Sequence, residues 1–321
     1  MADNKKIIEC AYAKVNLDLR ITGIREDGYH LLDMVMQTVS LADTLSFEVT
    51  EGEEIELVLD REGSLESAGE LSLGEDNLIR KAAKRIFRNH PELPKGLRIT
   101  LQKRIPMGAG IGGGSADGAA ALRGLNRLYG LEMDTMGLEA IGVELGADIP
   151  FLISGGRQKV QGIGEKLVPL PEMTEGAILI AKPKESVSTP WAYQEFDRIA
   201  AAAQNAAESG GAKVEIGSES SADTASVQHE ERPGGVGTTA TQPANDLELA
   251  VLPRYPAIAA LKKFMADHGA SLSLMSGSGS AVFGVFETEK EAERAAAALE
   301  ACEIVKELEG IWVTEPVAGY S

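Results

Sequence analysis

The segment from 106 to 130, PMGAGIGGGSADGAAALRGLNRLYG, constrains the fold of this chain more than any other. Glycine backbones tolerate positive φ angles and approach ligands closely, and successive N–H groups before a helix can converge on an anion. We therefore predict a phosphate-binding glycine loop, with Ser115 as the helix N-cap and Asp117 in the first turn. The loop comprises Pro106, Met107, Gly108, Ala109, Gly110, Ile111, Gly112, Gly113, Gly114 and Ser115.

A strand leads directly into this loop, because apolar residues alternate at Leu97, Ile99 and Leu101. Lys103 shares their parity, which places an ammonium group beside the loop; the alternative is a lysine that extends into solvent at the strand end. The loop lacks the Gly-Lys-Ser/Thr ending of a Walker A motif and the context of a dinucleotide-binding fold. Strand, glycine loop and helix together suit a phosphate site, and the alternative is a flexible turn before a helix of small residues.

The charge of the chain limits its partners. Its 321 residues carry a formal net charge of −18, which argues against nucleic acid and anionic membrane as bulk partners, so an anionic substrate needs a local basic patch. The two cysteines, Cys10 and Cys302, have no paired spacing, so neither a disulfide framework nor a zinc site is predicted. With no run of ~20 apolar residues and no signal-peptide core, we expect a cytoplasmic protein.

Strict alternation predicts the first strand. Apolar residues occupy the odd positions over 11–21, and mostly polar residues occupy the even ones. Lys14 and Asn16 therefore share one face, which taken alone would be the solvent-exposed face of the strand. The turn REDGYH follows and presents Tyr29 and His30 where a ligand could reach them, although local packing is the simpler interpretation.

Further elements follow from similar patterns. The segments 45–49 and 55–59 alternate on either side of a turn and predict a hairpin. Asp148 lies between the end of a helix predicted over 136–146 and an apolar strand, and a lone aspartate there is most simply a turn residue. The stretch 200–241 has few branched aliphatic residues, and we predict a mobile insertion there. Helices and strands alternate irregularly with several hairpins, so the predicted fold class is α+β.

Six segments of the chain resemble a known group of kinases. AYAKVNLDL, EDGYHLLDMVMQTVSLAD, PMGAGIGGGSADGAAAL, GADIPFLISGG, NDLE and LMSGSGSAVFGVF occur in the order typical of the galactokinase–homoserine kinase–mevalonate kinase–phosphomevalonate kinase (GHMP) superfamily. The resemblance covers nearly the whole chain outside 200–241. It implies two domains, an ATP-binding domain over 1–156 that is like domain 2 of ribosomal protein S5, and a ferredoxin-like substrate-binding domain over 157–321.

Two segments are more specific than the rest. REDGYH with the following MVMQT, and GADIPF with its flanks, are similar to one branch of the superfamily. Members of that branch act in non-mevalonate isoprenoid biosynthesis. The resemblance implies ATP-dependent phosphorylation of the 2-hydroxyl of a methylerythritol unit joined to a diphosphocytidyl group. It also implies a small-molecule substrate rather than a macromolecular partner.

The resemblance also implies roles for single residues at the reacting centre. Asp148 matches the catalytic aspartate of the family, and Lys14 matches its partner lysine. Lys103 and the glycine loop match the ATP-binding side. Phosphoryl transfer depends mostly on positioning and charge stabilisation, with Mg²⁺ able to neutralise charge on the β- and γ-phosphates. No residue of the sequence is assigned as a metal ligand.

The substrate side is implied in the same way. Asn16 matches a substrate-contacting position, and Tyr29 and Tyr193 match positions where aromatic rings stack on cytosine. His30 matches the residue that hydrogen-bonds the base. Thr189, close to the aromatic cluster around Tyr193, is assigned to the same side. Stacking on a base would let an acidic protein hold an anionic nucleotide with few cations.

Two alternatives remain open from the sequence. A sister kinase acting on homoserine or mevalonate would keep the glycine loop without needing Tyr29, His30 and Tyr193 as a base-binding set. A nucleotide-binding module without catalysis would keep the fold, but the presence of both Lys14 and Asp148 argues against it. The sequence does not indicate an oligomeric state.

Overall fold

The computed structural model describes residues 6–208 and 242–320. The fold is α+β, as predicted, with two sheets and helices packed on them. The strands are β1 (Lys6–Ile24), β2 (His30–Val49), β3 (Ile55–Leu59), β4 (Leu97–Gln102), β5 (Arg157–Gly162), β6 (Lys166–Pro169), β7 (Ala177–Pro183), β8 (Leu272–Met275), β9 (Val282–Phe286) and β10 (Leu308–Thr314). The helices are α1 (Leu78–Asn89), α2 (Gly113–Tyr129), α3 (Thr135–Leu145), α4 (Ile149–Ser154), α5 (Thr189–Glu208), α6 (Glu248–Val251), α7 (Pro256–Asp267) and α8 (Glu289–Glu300).

The larger sheet is built around β2. This strand pairs along its length with β1, and its other edge is shared by β5 near the start of β2 and β4 near the end. β3 joins β4 in parallel, and β6 joins β5. The predicted hairpin of 45–49 with 55–59 is therefore wrong, because β4 lies between these two strands. Alternation identifies a half-buried strand, but it does not identify the partner.

Helix α2 forms the centre of the core on this sheet. It packs on β1, β2, α1, α3 and α4. Its consecutive alanines, Ala119 to Ala121, are fully buried, and small side chains let the helix approach β1 closely. The alternate apolar residues of β1, including Ala11, Ala13 and Val15, are buried as predicted. The face that carries Lys14 is buried as well, so the alternation did not mark a solvent-exposed face at this point of the strand.

The smaller sheet has the order β10-β7-β9-β8, and all its pairs are antiparallel. Helices α7 and α8 pack on it. The strands that directly follow residue 156 pair with the larger sheet, so the chain passes from one sheet to the other between β6 and β7. The domain division at 156 and 157 stays a prediction.

Two sequence expectations need correction. The apolar segment after Asp148 is the short helix α4 rather than a strand, because Pro150 suits the first turn of a helix and Gly155 ends it. The first part of the stretch predicted to be a mobile insertion is helical instead, since α5 continues to Glu208 and its alanines favour a helix. The rest of that stretch, 209–241, lies outside the described residues.

Candidate active site

The glycine loop joins the end of β4 to the start of α2, as predicted. Gly108, Gly110 and Gly112 have φ angles of 62°, 75° and 74°, a conformation that other residues rarely adopt. At Gly110 a Cβ atom would lie 2.2 Å from the carbonyl oxygen of Ser276, so no side chain fits. Gly112 is the N-cap of α2, which places Ser115 inside the first turn and corrects the predicted cap.

Lys14 and Asp148 meet beside this loop. The Lys14 ammonium lies 3.6 Å from Asp148 Oδ2, and it donates hydrogen bonds to Asn16 Oδ1 at 2.6 Å and to the carbonyl oxygen of Gly110 at 3.1 Å. The Lys14 side chain is 4% exposed, whereas that of Asp148 is 29% exposed. The carboxylate is therefore the member of the pair that an incoming hydroxyl can reach.

Local backbone features bring these two groups together. β1 has irregularities in register between Tyr12 and Lys14 and again between Asn16 and Asp18, and a bulge redirects side chains from the regular pleat. The backbone N–H of Lys14 donates to the carbonyl oxygen of Ile111 in the glycine loop at 3.0 Å. Asp148 occupies the N-cap position of α4.

A second group of sequence-predicted residues lies between β2 and α5. The rings of His30 and Tyr193 lie 4.6 Å apart between centroids, and His30 Nε2 lies 2.8 Å from Asp197 Oδ1. Burial, with a smaller contribution from the negative charge of Asp148, raises the pKa of Tyr193 to about 12. Tyr193 therefore lies within electrostatic range of the carboxylate. Tyr29 is 60% exposed, with the Arg25 guanidinium 5.5 Å from its ring centroid.

A second glycine-rich turn, 276–280, packs against the glycine loop. Ser276 Oγ donates to the carbonyl oxygen of Gly110 at 3.1 Å. Ser278 Oγ lies 2.7 Å from Thr189 Oγ1, which places the predicted Thr189 at the start of α5 and next to this turn. Asn245 Nδ2 donates to the carbonyl oxygens of Met275 and Gly277, which fixes the turn.

Lys103 is buried beneath the glycine loop and does not extend into solvent. Its ammonium bonds Asp43 and lies 2.9 Å from Asp117 Oδ2, and its side chain is 3% exposed. The alternative of a lysine extending into solvent is thus wrong. Asp43 Oδ1 accepts from the backbone N–H groups of Arg104 and Ile105, which lead into the loop. Burial raises the pKa of Asp117 well above its ordinary value.

The prediction from sequence did not assign several residues of the site. Asp197 lies among ordinary charged residues of a helix, and its role depends on the pairing of α5 with His30. Asp43 ends the quoted segment EDGYHLLDMVMQTVSLAD and could have been identified from it. Asn245, next to Asp246 in the quoted NDLE segment, could have been identified from that segment.

The described residues hold no group of three or more histidine, cysteine, aspartate or glutamate side chains that could bind a metal ion by themselves. Among the same residues, none of the helices has the length and apolar character needed to cross a bilayer.

The comparison with known proteins now identifies the family. A model of the GHMP kinases N terminal domain matches residues 77–156, and one of the GHMP kinases C terminal region matches 229–304. The chain is 37% identical to the 4-diphosphocytidyl-2-C-methyl-D-erythritol kinase of Synechococcus elongatus, over 98% of this chain and 96% of that protein. The protein of the same name from Geobacter sulfurreducens is also 37% identical, over 91% and 94%.

The chain belongs to the 4-diphosphocytidyl-2-C-methyl-D-erythritol kinases. A crystal structure of 4-(cytidine 5'-diphospho)-2C-methyl-D-erythritol kinase matches with a TM-score of 0.71 at 30% identity, covering 98% of this chain and all of that one. A homoserine kinase from Cytophaga hutchinsonii matches with a TM-score of 0.66 at 18% identity, over 99% of this chain and 96% of its own, which shows a shared fold alone. The GHMP family and the small-molecule kinase class predicted from sequence are thus confirmed.

Proposed function

We propose that this chain transfers the γ-phosphoryl group of ATP to the 2-hydroxyl of 4-diphosphocytidyl-2-C-methyl-D-erythritol, a step of non-mevalonate isoprenoid biosynthesis. The products are the 2-phosphate and ADP. The observation that carries the proposal is the Lys14–Asp148 pair, held at 3.6 Å beside a glycine loop at a helix N-terminus, in a chain of this family.

In the proposed mechanism, the oxygen of the substrate hydroxyl bonds to the γ-phosphorus of ATP, and the bond between that phosphorus and the ADP oxygen breaks. Asp148 accepts the proton of the hydroxyl. An alcohol is a weak nucleophile, and a positioned base typically contributes ~10²–10⁴-fold. Lys14, which faces Asp148, stabilises negative charge on the transferring group. The backbone N–H groups of the loop from Pro106 to Ser115 bind the phosphates, aided by the dipole of α2.

Mg²⁺ fits this site as an ion that arrives with the nucleotide. It usually keeps several waters and is bound by one or two protein groups together with substrate phosphates, and so it does not need a dedicated cluster of carboxylates. The Ser115 hydroxyl, in the first turn of α2, would be its protein ligand. The ion would neutralise charge on the β- and γ-phosphates.

The cytosine end of the substrate is assigned to the group around His30. The ring of Tyr193 would stack on the base, and Tyr29, exposed in the turn before β2, would close on its other face. His30, oriented by Asp197, would hydrogen-bond the edge of the base. Asn16 and Thr189 would contact the part of the substrate between the base and the reacting hydroxyl.

A coupled ADP-release assay tests this function. We expect turnover with the diphosphocytidyl substrate and none above background with mevalonate or homoserine. Tyr193→Ala should raise KM for the diphosphocytidyl substrate by roughly 10-fold and leave KM for ATP within about 3-fold, because a stacked base contributes ~1–3 kcal/mol. Comparable turnover of mevalonate or homoserine would overturn the assignment.

A further inference from the structure

Residues 315–320, which we term the return segment, leave β10 and cross back to the larger sheet. The Ser40 N–H donates to the carbonyl oxygen of Glu315 at 2.8 Å, and the Val317 N–H donates to the carbonyl oxygen of Thr38 at 2.9 Å. Further along, the Tyr320 N–H donates to the carbonyl oxygen of Ser154 at 2.8 Å. The return segment therefore binds both β2 and the end of α4.

Arg123 lies beneath the end of the return segment and is 8% exposed. Its Nε donates to Glu9 Oε1 at 2.9 Å, and its Nη1 donates to the carbonyl oxygen of Leu152 at 2.6 Å. Its Nη2 donates to the carbonyl oxygen of Cys10 at 2.8 Å and to the Tyr320 hydroxyl at 2.7 Å. The guanidinium carbon lies 3.7 Å from the centroid of the Tyr320 ring.

These contacts involve the three elements that carry the reacting centre. Arg123 is on α2, the helix that begins at the glycine loop. Leu152 is on α4, one turn after Asp148, and Cys10 is on β1, the strand that carries Lys14. Thr38, which the return segment binds, is the cross-strand partner of Lys14 in β2. One buried guanidinium thus connects the loop helix, the aspartate helix and the lysine strand.

We propose that Arg123 and Tyr320 are positioning residues that hold α2, α4 and β1 where the glycine loop, Asp148 and Lys14 meet. The inference rests on the proposed roles of Lys14 and Asp148. The planar guanidinium fixes several acceptors in one arrangement, which a lysine cannot reproduce. Tyr320 covers the guanidinium and donates its own hydroxyl to the Cys10 carbonyl oxygen at 3.0 Å. Burial raises the pKa of Tyr320, so this hydroxyl stays protonated to a higher pH than that of an exposed tyrosine.

The test compares the loss of the hydroxyl group at Tyr320 with the loss of the hydroxyl group at Tyr129. Tyr320→Phe removes the hydroxyl that bonds Arg123. Tyr129→Phe removes a hydroxyl at the far end of α2, where it donates to the carbonyl oxygen of Pro94 at 3.1 Å. We expect kcat to fall roughly 3–10-fold in Tyr320→Phe and by roughly 10–100-fold in Arg123→Lys, with KM for both substrates within about 3-fold, because small misplacements near reacting atoms lower the rate steeply. Tyr129→Phe should keep the wild-type kcat even if Tm falls equally.

A double-mutant cycle separates positioning from general destabilisation. If Tyr320 acts through the placement of Asp148, Tyr320→Phe should change kcat by less than about 2-fold in an Asp148→Asn background. A merely structural role would instead give effects that multiply. Multiplying effects, or an unchanged kcat in Tyr320→Phe, would overturn the inference.

Hydrogen exchange in the protein without substrate gives a readout that does not depend on the reaction. Amides of α4 and of β1 around Lys14 should exchange faster in Tyr320→Phe than in Tyr129→Phe. Equal exchange in the two variants would contradict the inference whether or not the substrate assignment holds. Conversely, a wild-type protein that fails to phosphorylate the diphosphocytidyl substrate would contradict the proposed function alone. If Arg123→Lys does not fold, Tyr320→Phe carries both measurements.

Discussion

Two buried lysines flank the glycine loop, and their surroundings differ. Lys14 meets one carboxylate at 3.6 Å, one side-chain amide and one loop carbonyl, and that carboxylate is partly exposed. Lys103 is enclosed by Asp43 and Asp117, whose carboxylates are buried as completely as the lysine. The first lysine lies at an opening and the second lies within a closed network.

The difference shows that proximity to a phosphate loop does not make a lysine a phosphate ligand. The charge of Lys103 is already matched by two carboxylates, and Asp43 also binds the backbone that leads into the loop. We infer that Lys103 acts on the nucleotide through the shape of the loop. At the Lys14 pair the Asp148 carboxylate is 29% exposed, which the proposed contact with a substrate hydroxyl requires. Activity and stability should therefore separate between the two lysines.

The largest effect should follow removal of the Asp148 carboxylate. Asp148→Asn keeps the shape but removes the proton acceptor, so kcat should fall by roughly 10²–10⁴ while Tm and ATP affinity change little. Lys14→Met should also lower kcat, and the double variant should be little worse than the worse single one, since the pair acts as a unit. Steady-state kinetics of the three variants decide this. Near wild-type turnover in Asp148→Asn would show that the carboxylate is not the base.

Removal of the second lysine should lower stability by more than any change at the first. Lys103→Met leaves the Asp43 carboxylate buried without its cation, and breaking a buried ion pair in this way typically destabilises a protein by about 3–5 kcal/mol. Lys14→Met should lower the free energy of unfolding less, because Asp148 can still be hydrated. Urea unfolding of both variants measures the difference. An equal loss in the free energy of unfolding of the two variants would show that the surroundings of the two lysines do not differ in their effect on stability.

The smallest effect concerns the two carboxylates around Lys103. Asp43 accepts two backbone N–H groups and bonds the lysine, so Asp43→Asn should destabilise the protein. Asp117→Asn should become increasingly stable relative to wild type as the pH rises above the ordinary pKa of 3.8. A pKa raised above its ordinary 3.8 makes the folded state bind the proton more tightly than the unfolded chain does. Stability from Asp117 is therefore present at low pH and is lost as the pH rises through the folded-state pKa.

Urea unfolding of wild type and Asp117→Asn across pH 5 to 8 tests that sign. The amide that this substitution introduces would imitate the protonated acid, which can donate to Asp43. A variant that loses stability relative to wild type as the pH rises would show that Asp117 is held ionised in the folded protein.

Local patterns of the sequence predicted much of the fold. The alternation in β1, the strand β4 before the glycine loop and the helix α2 after it depend on neighbours within a few residues, and all three are present. Strand partners depend on distant residues, which is why the predicted hairpin failed. Lys14 shows the same limit. Alternation places it on one face of β1, but it does not tell that the distant residues Asp148 and Gly110 contact Lys14 on that face. The resemblance supplied what local physics could not, namely the pairing of Lys14 with Asp148.

The contact between the two glycine turns has a consequence for the newly made chain. The carbonyl oxygen of Gly110 accepts from Ser276, and that of Ala109 accepts from the N–H of Ala281. These partners lie more than half the chain further on, and they cannot bind the loop until the ribosome has made and released them. An emerging N-terminal half can form α2 and its sheet first, since domains generally fold as units during synthesis. The glycine loop reaches its final form only when the turn at 276–280 arrives, so a truncated product of translation would lack the finished loop that the proposed function requires.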